Sequence, residues 1–217
     1  AAVAMVRDPQ PATPASEEPP RTGTLRVLRR NFRVLRTLGL GITVLGAVRA
    51  ARNVVIPLWG FHIGLDPATI SLIFGISGAV DMLLFYPAGA VMDRFGRRSI
   101  AVPCLAIMGV ALVWMPMTTS LWTLLAASIL LAAGNGIGSG IVMTLGADVA
   151  PAESRAEFLG GWRLCGDLGV AAGPAMIGGI TAAASVGPAI LVIAGLSLAG
   201  AAMMARWIPA RQWSRGP

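Results

Sequence analysis

Six long apolar stretches alternate with short polar ones along the chain, near residues 38–60, 68–92, 99–118, 121–148, 157–182 and 187–208. Each approaches or exceeds the roughly 20 residues that an α-helix needs to cross the hydrocarbon core of a bilayer. The stretches are too long for barrel strands and lack the period-2 alternation of such strands. The connections read HIGLDPAT, DRFGRRS, MPMTTS, DVAPAESRAE and ASVGP. Connections this short make neighbouring helices antiparallel. The pattern predicts an all-α membrane protein, an up-down bundle of six transmembrane helices spanning residues 37–210.

The flanks differ in kind. Residues 1–36 form a polar tail, of which Asp8–Pro20 is rich in Pro, Ser and Glu and is expected to be disordered. From Arg21 to Arg36 the arginines are spaced as on an amphipathic helix lying at a membrane surface. The short apolar opening AAVAM is expected to be the stub of a helix that starts upstream. Residues 211–217 form a short C-terminal tail.

Composition agrees with a lipid environment. Hydrophobic residues make up 55% and charged residues 12% of the chain, against about 25% charged in a soluble domain; mean hydropathy is +0.73. The 27 glycines suit helices that associate by close approach in lipid. Cys104 and Cys165 both lie inside apolar runs and read as small packing residues, with neither a disulfide framework nor a metal site in view.

All seventeen basic residues are arginine, and fourteen of them fall in the N-terminal tail, DRFGRR, AESRAE and the C-terminal segment. The connections around Asp66, Thr118 and Ser185 hold none. Positive charge marks the cytoplasmic side, which places both termini and the Asp93 loop in the cytoplasm of a multi-pass inner (plasma) membrane protein. Trp59, Trp114, Trp122 and Trp207 sit at predicted segment ends, as an interfacial aromatic belt requires. The net charge of +7 thus reflects orientation against the inner leaflet, with no nucleic-acid partner implied.

One polar interruption is unusual. GAVMDRFGRR puts Asp93, Arg94, Arg97 and Arg98 within six residues, between the second and third helices. The spacing Gly89-x-x-x-Asp93-Arg94-x-Gly96-Arg97-Arg98 resembles the signature loop of the major facilitator superfamily, at the position where that family carries it. The resemblance covers the whole six-helix region, which implies one half of a twelve-helix transporter. The tail followed by six helices is similar to the family's central loop and C-terminal half, with the other six-helix half as the missing partner. In chemical terms Gly89 allows helices to approach, Gly96 allows a sharp turn, and Asp93 seeks a helix N-terminus or an arginine. In the family this loop latches one half to the other and releases during transport; a plain positive-inside turn is the simpler alternative.

The fifth segment carries Gly160, Gly169, Gly173, Pro174 and Gly178. These resemble the glycine-proline motif of drug/proton antiporters of the family. The spacing after Pro174 is one residue longer, and the motif belongs to the family's first half. A proline-kinked helix with a small-residue packing face explains the same residues. Gly134, Gly136, Gly138 and Gly140 in the fourth segment read as close packing.

Five charges lie inside the apolar segments: Arg49, Arg52, Asp81, Arg163 and Asp167. Each would cost about 2.5–3.5 kcal/mol if it faced lipid at mid-membrane, so they are expected to pair, face inward or line water. Arg49 follows Leu38 by eleven residues and Asp81 precedes Met92 by eleven. A rise of 1.5 Å per residue puts both about 16 Å from the arginine-rich ends. Arg52 and Asn53 lie one turn from Arg49, and the four residues form a candidate substrate or proton site at the depth where transporters bind. Pro57 and Pro87 offer kinks nearby. A structural ion pair fastening the first helix to the second is the alternative. Arg163 and Asp167 are four residues apart and form a possible secondary charge pair. His62, beside an outer connection, reads as an interfacial residue.

No hydrolase, metalloprotease or nucleotide-binding motif is present, so neither catalytic residues nor a cofactor nor a metal site are expected. Transport would therefore draw on an ion or substrate gradient. The leading expectation is secondary active transport of a small organic molecule by proton-coupled efflux, with Asp81 as proton carrier. Uptake of an organic anion clamped by Arg49 and Arg52, by symport or facilitated diffusion, is a rival. A non-transporting membrane receptor or scaffold is the rival from another class.

Overall fold

A computed structural model describes residues 24–208 of the chain. The expected disorder of Asp8–Pro20, the AAVAM stub, Arg21 and the tail 211–217 lie outside the described residues. A short helix, Thr24–Arg30, precedes six helices long and apolar enough to cross a membrane: Phe32–His62, Pro67–Phe95, Arg98–Met117, Leu121–Val149, Ala152–Ala183 and Val186–Trp207. Among the described residues there is no strand. The first span starts earlier than its apolar run, because the basic segment stays helical through a π-turn at Leu35–Gly39.

Local chemistry sets the ends. Asp66 caps the second span, its carboxylate accepting from the Thr69 amide (3.0 Å) and hydroxyl (2.6 Å), with Pro67 at the first helical position. Those bonds from Thr69 hold the Asp66 carboxyl below its usual range. At the other end Gly96 has φ +86°, a conformation that favours glycine, and its amide bonds back to Met92 at 2.9 Å. That residue is what lets DRFGRR turn so tightly. Ser120 and Thr123 form a reciprocal capping box at the start of the fourth span.

The short connections set alternating directions, yet chain neighbours are not the principal packing partners. The first span packs most extensively on the fifth, the third on the sixth, and the second on the fourth. Small residues dictate this pairing. A Cβ on Gly46 would lie 2.6 Å from the Gly166 carbonyl oxygen, and a Cβ on Gly109 would lie 2.6 Å from Leu198. Interhelical hydrogen bonds add to it: Thr43 Oγ1 donates to the Cys165 carbonyl (2.8 Å) and buried Ser197 Oγ to the Leu105 carbonyl (2.7 Å). Such bonds average about 0.6 kcal/mol in a bilayer, so packing carries most of the stability.

Burial is uneven in a way that matters for the site. Only 17% of the apolar window is buried in the second and in the fifth span, against 39–56% in the other four. Trp59 is corrected from belt to core: it is buried, and its indole N–H donates to Thr118 Oγ1 at 2.9 Å, fastening the first span to the connection after the third. Trp114, Trp122 and Trp207 remain exposed near span ends. Both described cysteines are free, and His62 sits exposed beside Trp59.

Candidate functional site

Three spans meet at a polar knot in an otherwise apolar bundle. Arg52 Nη1 lies 2.8 Å from Asp81 Oδ2, and the same oxygen accepts from Asn135 Nδ2 at 2.7 Å. Arg49 Nη2 donates to the Asn135 carbonyl oxygen at 3.2 Å. The Arg52 guanidinium also stands over the Phe74 ring at 5.8 Å, and its side chain is 7% exposed. One carboxylate oxygen thus ties the first, second and fourth spans together.

Depth counting left open whether Arg49 or Arg52 meets Asp81; the structure pairs it with Arg52. Side chains on a helix lean toward its N-terminus, so Arg52, a turn further along, reaches back to the level of Asp81. Arg49 reaches back further, to the fourth span. Asn53 separates from the group: it is exposed and makes no side-chain hydrogen bond to a described residue, because a 100° step from Arg52 carries it off the buried face.

The glycines of the fourth span make the knot possible. Met108 and Cys104 press on Gly134, and a Cβ on Gly136 would lie 2.5 Å from the Asp81 carbonyl oxygen. Cys104 and the Arg49 guanidinium crowd Gly138. The regular helix stops at Ile137 and resumes at Ile141. This break interrupts the helix ladder beside the buried charges, and Pro57, inside the first span, leaves the Asn53 carbonyl next to Arg52 without its helical donor. Arg49 Nε, Arg52 Nε and Asn135 Oδ1 are buried without a hydrogen-bond partner among the described residues. Each retains bonding capacity inside the bundle.

Arg49 also borders a cavity of about 340 Å³ between the first, fourth and fifth spans, with Met143, Trp162, Arg163 and Asp167 on its wall. Arg163 and Asp167 do not form an ion pair within 4 Å; both are exposed and face this space. Their side chains contribute charge of both signs to a mostly apolar wall.

In the signature loop the structure divides the charges. Arg97 grips Asp148 with two bonds, Nε to Oδ2 at 2.6 Å and Nη2 to Oδ1 at 3.3 Å, joining the loop to the end of the fourth span. Arg94 stands over Phe95 and Arg98 is half-buried. Asp93 is exposed, with no cation within 4 Å among the described residues. It lines a cleft of about 390 Å³ with Gly89, Phe85, Tyr86 and Gly140. A Cβ on Gly89 would meet nothing within 4 Å, so the expected close approach at that glycine has no counterpart among the described residues. Asp148→Asn should cost about 1.5–3 kcal/mol, the range for a hydrogen bond to a charged group. Thermal unfolding in detergent measures it, and an unchanged midpoint would make the Arg97 clamp energetically idle.

The glycine-proline residues of the fifth span also divide. Gly169 and Gly173 press on the backbone of Thr43 and Ala47 in the first span. Gly160 and Gly178 are exposed, and a Cβ there would meet nothing within 4 Å. Pro174 lies inside a helix that runs unbroken from Arg155 to Ala183. Among the described residues, Gly169 and Gly173 therefore lie against the first span, while Gly160 and Gly178 face open space.

Asn135 and Asp148 were not singled out from the sequence. Asn135 is a neutral residue in a glycine-rich run, and Asp148 sits where a segment end hides it among connection charges. The one signal for Asn135 was a side-chain amide in the middle of an apolar span.

No curated protein matches the chain. The profile of the Major Facilitator Superfamily matches residues 38–215, which takes in all six spans after the basic segment. Six membrane-length helices fit a half-domain of that family, whose members are transporters of small molecules across lipid bilayers and not enzymes. With most of its length matched and the six-helix bundle in place, the chain belongs to the major facilitator superfamily.

Proposed function

We propose that the chain works in proton-coupled efflux of a small organic molecule, with Asp81 as the proton carrier. The observation behind this reading is the shared carboxylate oxygen, which accepts from Arg52 and Asn135 and so links three spans beside a broken helix. A proton on that carboxylate removes the ionic part of its bond to Arg52, and the second span is then free to move against the first and fourth. The cavity bordered by Arg49, Trp162 and Met143 is the proposed substrate space. Arginine placement supports an inner-membrane orientation with both termini cytoplasmic. A second six-helix unit is proposed to cover the second and fifth spans, whose apolar windows are the least buried; Asp93 and Gly89 lie on that uncovered side.

A second reading keeps the cavity and changes the cargo. Arg49 and Arg163 on its wall favour an organic anion, taken up by symport or by facilitated diffusion. Inverted membrane vesicles holding an imposed proton gradient separate these readings. Efflux predicts that adding substrate dissipates the gradient, and that Asp81→Asn abolishes this while substrate binding persists. Anion uptake predicts flux that survives Asp81→Asn and fails in Arg49→Gln. Absence of flux under every gradient would leave a receptor or scaffold.

A further inference from the structure

We propose that the cleft between the start of the first span and the end of the sixth binds the phosphate of an anionic phospholipid. The cleft holds about 460 Å³ and is lined by Phe32, Arg33, Arg36, Thr37, Leu40 and Trp207. Arg33, Arg36 and Leu40 follow one another at spacings of three and four, which puts them on one helix face. Neither arginine has a carboxylate within 4 Å among the described residues. Between Glu18 and Asp66 the sequence contains no acidic residue at all. Thr37 turns its hydroxyl back on the Arg33 carbonyl (2.8 Å) and the Val34 carbonyl (3.2 Å), so it takes part in the helix and leaves the guanidiniums to face outward.

The shape of the site selects a lipid over a free phosphate. Two planar guanidiniums suit phosphate oxygens. Beside them stand exposed apolar side chains, Phe32, Leu40 and Trp207, 61%, 48% and 37% accessible. A soluble anion has no use for that wall, whereas an acyl chain does. Tryptophan at a span end sits at the headgroup level of a bilayer, the height at which a lipid phosphate lies. The π-turn at Leu35–Gly39 falls within this stretch. Such turns are common at functional sites. The site shares no residue with the Arg52–Asp81 knot, so it stands or falls apart from any transport mechanism.

The test is native mass spectrometry of the full chain in micelles doped with phosphatidylglycerol or phosphatidylcholine. One phosphatidylglycerol should bind at least about tenfold more tightly than phosphatidylcholine. R33Q/R36Q should weaken phosphatidylglycerol by about 30-fold and erase the preference. R29Q/R30Q removes the same charge outside the cleft and should change binding by no more than about threefold. Leu40→Glu, which sets an acid beside the headgroup, should weaken it by about tenfold and serves if the double variant does not fold. Equal effects of the two double variants would mean diffuse surface charge and overturn the site. Displacement of the lipid by millimolar glycerol phosphate would equally overturn it, in favour of a soluble anion.

Discussion

Arg52→Met and Asp81→Leu, made singly, should each destabilise the bundle by about 3–5 kcal/mol, because each leaves one charge buried and unpaired. Made together they should recover most of that loss. Replacing a buried ion pair by apolar residues of similar volume is often neutral or stabilising. Recovery should stop about 1–3 kcal/mol short, since Asn135 Nδ2 then loses the oxygen it donates to at 2.7 Å. Adding Asn135→Leu should close the gap. Arg49→Met with Asp81→Leu should behave differently: Arg52 keeps its charge and loses its carboxylate 2.8 Å away, so stability stays low. Thermal unfolding in detergent reads the first quantity and substrate-driven flux in vesicles the second. A stable triple variant without flux supports a working site at Asp81. A stable triple variant with normal flux would reduce the knot to a staple and end the proton-carrier proposal.

The pairing of Arg52 with Asp81 shows where sequence reading reaches its limit. Span existence follows from apolar length alone, and all six spans lie close to their expected places. The turn at Gly96 follows from the positive φ that glycine accepts, and the structure has it. Charges in an apolar run announce a site because burying them is expensive, which brought Arg49, Arg52 and Asp81 to the same depth. Which arginine meets the carboxylate depends on side-chain lean, a three-dimensional property that residue counting at Cα level misses. Asn135 carries no charge, so no burial penalty drew attention to it, although its amide completes the Asp81 bonds. The packing order escaped for a similar reason. Short connections fix direction, but only the positions of Gly46, Gly169 and Gly173 against a facing backbone decide that the first span lies on the fifth.

Those glycines yield the second large effect. Gly169→Ala and Gly173→Ala should each push a methyl group into backbone atoms, Thr43 O and Ala47 O, that belong to a rigid helix and cannot rotate away. The spans must separate to admit it, so the pair of changes should cost about 3 kcal/mol or more and reduce folded yield. Gly160→Ala and Gly178→Ala should do the reverse. Their added methyl groups meet nothing within 4 Å, and replacing glycine by alanine inside a helix gains about 0.5–1 kcal/mol. These four glycines of the fifth span therefore divide into two classes by stability alone. Function adds a further division. If a second six-helix unit covers the exposed face of the fifth span, Gly178→Leu should leave the unfolding midpoint of this bundle unchanged and still suppress vesicle flux, because the bulk falls between the units. Flux that survives Gly178→Leu would mean that lipid, and no protein partner, lies against that face. Loss of stability in Gly178→Leu would mean that the face is already filled by this chain, contrary to the open space beside Gly178.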